Sequence, residues 1–232
     1  MIIIYLSDIF AWILNENTCI LIDNLLPLYR RNNNMTTLNE LKKHLKKGRV
    51  YRRNELSEWS KSVDRHLDEL LKEGVLEKLS QGLYYVPQTS VFGKVPPDED
   101  VLVRSFLKDD RFLLVSPNFY NSLGVGTTQL YNKKVVYNHK RHGKFKLGNR
   151  DFEFQLKHHF PSKMTEEFLL VDLANNLDNL AEDRDNVLNK LLAKASQMPF
   201  QKLKHVVMEY GNAKTKKMLK SLMTNNTTLA HA

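Results

Sequence analysis

The chain has 232 residues, with 35 Lys and Arg against 26 Asp and Glu and a formal net charge of +9. Hydrophobic residues at 42% and charged residues at 26% exclude a disordered or fibrous chain, and the length suits two small cores better than one. A single cysteine, Cys19, excludes an intrachain disulfide and a cysteine zinc site, which suits a cytoplasmic protein, and the basic balance favours a polyanionic partner.

Residues 1–34 open as MIIIYLSDIFAWILNEN, but Asp8, Glu16 and Asp23 interrupt the apolar run and the first basic residue is Arg30. A secretory signal needs a basic start and a membrane span needs about 20 apolar residues, so neither is expected. After RRNNN, Met35 opens a clean amphipathic pattern. Two readings of residues 1–34 stay open: an upstream extension with Met35 as the working start, or a helix that binds a partner or packs on the chain itself.

Residues 35–90 read as three helices and a hairpin. Leu38, Leu41 and Leu45 fall at helical spacing and end before Gly48. Asn54 can cap a short second helix containing Leu56 and Trp59. Ser60 can cap a third, where Val63, Leu67, Leu70 and Leu71 form one stripe and Gly74 supplies the left-handed stop. Strands around Val75–Leu79 and Leu83–Val86 flank the turn Ser80-Gln81-Gly82, with Leu79 and Leu83 inward and one of Tyr84 and Tyr85 left for a partner. This is the order of a winged helix-turn-helix. In that fold the third helix enters the major groove and the wing touches flanking backbone. Lys61, Ser62 and Arg65 are the candidate base contacts. Arg49, Tyr51, Arg52 and Arg53, from the run Lys42–Arg53 with seven basic residues and no acid, suit phosphates, as do Lys78 and Gln81 of the wing. The third helix also carries Asp64, Asp68, Glu69 and Glu73.

Pro87, Pro96 and Pro97 mark a boundary, and residues 91–232 read as a mixed α/β domain with a helical C-terminal part. A helix over 98–108 precedes the strand RFLLV, a short helix near Phe119 and the turn GVGTT. Strands follow near Val135, Phe145 and Phe152, and helices run from Thr165 with Phe168, Leu169, Leu173, Leu177 and Leu180 as one stripe. The fold class is therefore α+β. His139, His142, His158 and His159 lack carboxylates at metal-binding spacing. GVGTT lacks the lysine and third glycine of phosphate loops, and Ser116 lacks the glycines of a nucleophile elbow. No catalytic constellation, metal or cofactor is expected.

The segment VYRRNELSEWSKSVDRHLDELLKEGVLEKLSQGLYYVP resembles the N-terminal winged helix of AbiEi-type antitoxins, from bacterial type IV toxin-antitoxin systems of abortive infection. The G-L-Y after the wing turn is its most recognisable piece. The likeness extends through FGKVPPDEDVLVRSFL, LLVSPNFYNSLGVGTTQ and VVMEYGNAKTKKMLKSL, covering nearly all of Met35–Met223. It implies a transcriptional autorepressor that binds its own operator through Lys61, Ser62 and Arg65, with Arg52, Arg53, Lys78 and Gln81 on backbone. It further implies an antitoxin domain that counters a nucleotidyltransferase-type toxin, with or without touching it. Lys140, Arg141 and Lys144 are candidates for that surface. The alternative is a winged-helix adaptor that binds protein without specific DNA contact.

Overall fold

The computed structural model describes residues 37–128 and 130–225; the readings of residues 1–34 and of Met35 as a start lie outside them. The architecture is α+β, and the chain divides into two units, Met1–Pro97 and Asp98–Ala232.

In the first unit, helix α1 spans 37–44 and buries Leu38 and Leu41. It stops four residues before Gly48 because Tyr51 takes over the helix end. The Tyr51 hydroxyl accepts from the Lys46 N–H (2.9 Å) and donates to the His44 carbonyl (3.0 Å), so the exposed chain ends of α1 are satisfied by a fully buried side chain. Strand β1, Val50–Arg52, follows, an element the three-helix reading did not contain. Helix α2, Arg53–Glu58, starts after Arg52 and not at Asn54, whose carbonyl instead accepts from the Ser57 hydroxyl.

Helix α3, Val63–Lys72, is preceded by Ser62 as its cap residue, two positions later than expected. Its buried Val63, His66, Leu67 and Leu70 recur at i, i+3, i+4 and i+7. At its C-terminus the Val75 N–H returns to the Leu70 carbonyl (3.0 Å) and the Gly74 N–H to Leu71 (3.2 Å), with Gly74 at φ +71. That paired closure needs a left-handed residue, which is why glycine stands there. Strands β2, Glu77–Ser80, and β3, Leu83–Tyr85, form the expected hairpin, and β1 joins it to give an antiparallel sheet of order β1-β3-β2. Both Tyr84 and Tyr85 are buried, at 8% and 2% exposure, so neither is left for a partner. Tyr84 joins the core of Leu67, Leu70 and Leu76, while Tyr85 meets a second hairpin, β4 (Gln88–Ser90) and β5 (Gly93–Val95), whose Val95 carbonyl accepts from its hydroxyl (2.7 Å).

In the second unit, helix α4, Glu99–Leu107, is capped by Asp98, whose carboxylate accepts from the Val101 N–H. The sheet contains β6 (Phe112–Val115), β7 (Lys134–Asn138), β8 (Gly143–Leu147) and β9 (Arg150–Leu156) in the order β6-β7-β9-β8, with β7 and β9 parallel. Asn138 makes this topology workable: its Nδ2 donates to the carbonyls of Val136, Arg141 and Gln155, and its Oδ1 accepts from the N–H groups of Lys140 and Arg141. One buried amide thus folds the chain out of β7 and ties it to β9. A 3₁₀ helix, Pro117–Leu123, leads to the loop before β7.

Helices α5 (Glu166–Asn176), α6 (Arg184–Gln197), α7 (Phe200–Tyr210) and α8 (Ala213–Asn225) complete the unit. The single stripe expected on α5 is instead a run buried on every side, Phe168 to Ala174. That run includes Asp172, 1% exposed. Its carboxylate accepts from the hydroxyls of Tyr120 (Oδ2, 2.7 Å) and Tyr137 (Oδ1, 2.8 Å), with Lys157 Nζ at 3.7 Å. The helix centre, the sheet and the 3₁₀ helix therefore meet on one charged, fully partnered group.

Two stability predictions follow from these contacts. Asp172→Ala leaves two phenols and an ammonium without their acceptor and should cost about 3 kcal/mol or more in urea denaturation. Gly74→Ala meets open space but a left-handed backbone, so the loss should be about 1 kcal/mol with an unchanged m-value.

Candidate nucleic-acid interface

Because Val63, His66, Leu67 and Leu70 turn inward, α3 turns outward at Arg65 and Asp68, and Lys61 and Ser62, which immediately precede its first residue, are also exposed. The three residues expected to reach base edges therefore lie at the N-terminal end of α3, Lys61 and the cap residue Ser62 just before it and Arg65 within it. Lys61 forms no ion pair among the described residues. Arg65 has its Nη2 at 3.3 Å from His66 Nε2 and its Nε at 3.8 Å from Glu69. An exposed pair of that length is worth a fraction of a kcal/mol, so the guanidinium can leave it for a stronger acceptor.

The acids on this helix are largely neutralised from within the unit. Asp64 receives a two-pronged bond from Arg53, Nε to Oδ1 at 2.7 Å and Nη2 to Oδ2 at 2.6 Å. The hydrogen bonds from Arg53, more than its charge, hold the Asp64 carboxyl below its ordinary range. Glu69 faces Arg65, and Glu73 pairs with Lys42 at 2.6 Å. Asp68 alone of the four has no ion pair among the described residues.

Arg53 therefore has a different place from the phosphate contact expected of it. Its N–H donates to the Gly82 carbonyl in the β2–β3 turn (3.0 Å) while its guanidinium holds the first turn of α3. Tyr51, also expected at phosphates, is fully buried beneath Trp59, which meets it edge-on at 6.1 Å and stacks on His44 at 4.7 Å. Arg49 is exposed with its guanidinium 5.2 Å from the Tyr51 ring. Arg52 is half-buried on β1, opposite Leu83. Lys78 is exposed on β2 opposite Tyr84, and Gln81 is exposed in the turn. Lys46 and Lys47 are also exposed, just after α1.

His66 is the residue that pattern reading missed. It lies fully buried on α3, with Nδ1 2.7 Å from the Ser60 hydroxyl and Nε2 3.5 Å from the Thr37 hydroxyl. Ser60 also accepts from the Ser62 N–H (3.2 Å). The position of His66, three residues after Val63 and four before Leu70, was the available signal, since it falls on the apolar stripe. Burial first, and the neighbouring Arg65 charge second, push its pKa below the ordinary histidine value, against a smaller opposing pull from Glu69.

Elsewhere, the candidate antitoxin residues are partly occupied. Lys140 donates to the Lys108 carbonyl (2.6 Å) and pairs with Asp109, Arg141 lies over the Phe106 ring at 4.5 Å, and Lys144 is exposed. Among the described residues, no group of three or more His, Cys, Asp or Glu is placed to hold a metal ion.

A family of unknown function, DUF6088, matches residues 37–167, more than half of the chain. No curated protein matches it.

The depressed His66 pKa sets a pH dependence. Neutral in the native state, His66 contributes stability that is complete above the free-imidazole value of about 6.5 and is lost as pH falls through the lowered native value. Urea midpoints taken between pH 7 and pH 5 should decline in the parent chain, and His66→Gln should flatten that decline.

Proposed function

The chain belongs to the DUF6088 family, whose function is unknown, and we propose that it is a DNA-binding regulator of the winged helix-turn-helix type. One observation carries the reading. A helix, strand, helix, helix and hairpin close on a sheet of order β1-β3-β2, and Lys61, Ser62 and Arg65 are exposed at the N-terminal end of the helix that precedes the hairpin. A helix presented this way fits the major groove, where an arginine can donate two bonds to a guanine edge. Lys46, Lys47, Arg49 and Lys78 add cations suited to phosphate.

The likeness to AbiEi-type antitoxins supplies the rest of the proposal: a cytoplasmic autorepressor of its own operon that also counters a nucleotidyltransferase-type toxin. No described helix is long and apolar enough to cross a membrane. A second reading, as a protein-binding adaptor, is favoured by the tip of the β4–β5 hairpin, where Val91 and Phe92 are 93% and 97% exposed. Apolar side chains set that far into solvent suit a protein partner.

Gel shifts on the promoter of its own operon test the reading. Affinity for that DNA should exceed affinity for random sequence and fall as salt rises; equal affinity for both would sink the repressor reading, and capture of a stoichiometric protein partner without DNA binding would favour the adaptor. Arg65→Ala should cost about 1 to 3 kcal/mol at one base position, whereas Lys78→Ala should weaken all sequences alike and lower the salt slope by about 1. Asp64→Asn should act in the opposite sense, releasing the Arg53 guanidinium and steepening the salt slope by about 0.9.

A further inference from the structure

The positive charge of the chain is concentrated in one stretch. Residues 186–220 carry eight lysines against one acid, Glu209, a net +7 out of the total +9. The stretch before it, 162–185, carries Lys163 and Arg184 against seven acids. Charge of the two signs is therefore segregated along the chain, which the alternating pattern of an ordinary solvated helix face does not produce.

Part of the excess is spent inside the second unit. Lys194 pairs with Glu166 (2.7 Å), and Lys214 pairs with Asp178, which Arg184 also holds (2.9 Å). His205 lies 3.2 Å from Glu209. Lys190, Lys202, Lys204, Lys216 and Lys217 form no ion pair among the described residues.

Helix α8 gathers the largest share and carries no acid. Thr215 and Leu219 on it are fully buried, and Leu219 joins the core formed with Leu170, Leu191 and Val207. With those two positions inward, the helical period turns Lys214, Lys217 and Lys220 outward. All three are exposed, and Lys216 stands half-buried beside them. From Lys214 to Lys220 the stripe runs about 9 Å along the helix.

We propose that the outward face of α8 binds the phosphate backbone of a nucleic-acid duplex, without reading its sequence. Lysine ammonium groups are point charges suited to phosphate, and backbone contacts position a duplex without specifying it. A single strand is held by aromatic rings that stack on its bases, and the stripe from Lys214 to Lys220 holds none. A membrane surface requires an apolar side turned to the lipid, whereas Leu219 is buried and Met218 packs against the same core. A protein partner requires an apolar centre within the interface, which these lysines do not provide. The surface lies wholly in the second unit and does not depend on base contacts from α3.

Fluorescence anisotropy of the full chain with a labelled DNA duplex unrelated to the promoter, taken over a salt series, tests the surface. An RNA duplex of equal length identifies which backbone is preferred. The logarithm of the affinity should fall linearly with the logarithm of salt, and replacing Lys216 and Lys217 together by Gln should lower that slope by about 1.8. Lys217→Glu, a single change at an exposed position, should lower the slope as well and gives a second reading should the double variant fold poorly. The same loss should persist when Lys61→Ala and Arg65→Ala are also present, which separates a failure of this surface from a failure of the α3 reading. No binding to either duplex at low salt, a parent-like slope in both α8 variants, or a polyglutamate peptide or phosphatidylserine vesicle bound as tightly as the duplex would overturn the proposal.

Discussion

Arg53 ties the turn between β2 and β3 to the first turn of α3. Its N–H reaches the Gly82 carbonyl in the β2–β3 turn and its guanidinium grips Asp64 in the first turn of α3. The planar fork of arginine suits this bidentate role, for which lysine has no equivalent geometry. The pair is exposed, so its contribution to global stability is small. Its consequence is positional: one residue contacts both the first turn of α3 and the turn between β2 and β3.

Beneath that link, the unit relies on buried polar groups that are each given a partner. Tyr51 replaces the missing hydrogen bonds at the end of α1, and Ser60 and Thr37 flank His66 on an otherwise apolar stripe. The second unit applies the same rule at higher stakes around Asp172, where the penalty of burying a charge is offset by two phenols and an ammonium. In both places the polar side chain joins elements far apart in sequence: Thr37 to His66 in one, Tyr120 to Asp172 in the other.

The order of elements was largely legible in the sequence. The leucine spacing of α3, Gly74 at its end, the Ser80-Gln81-Gly82 turn, the helix starts near Asp98 and Thr165, and the strands around Val135, Phe145 and Phe152 are all local signals, set by side-chain periodicity and backbone preference over a few residues. Cap positions were less secure. Ser60 and Ser62 are alike as capping residues, and the choice between them depends on His66, whose burial no local pattern expresses. Strand β1 was hidden for a similar reason, since three residues between basic neighbours become a strand only when β3 lies alongside to pair with them.

The sequence by itself thus determined the α+β class, the helix and strand order, and the set of basic residues from which an interface could be drawn, because these depend on neighbours along the chain. Tertiary structure alone decided which of those residues are available. Arg53 paired with Asp64, Tyr51 became a buried cap, Tyr84 and Tyr85 both left the surface, and Asp172 gathered Tyr120 from the 3₁₀ helix and Tyr137 from β7. The physical reason is common to all four: hydrogen bonding and burial are settled between residues that meet only after folding, and residue type constrains such meetings without specifying them.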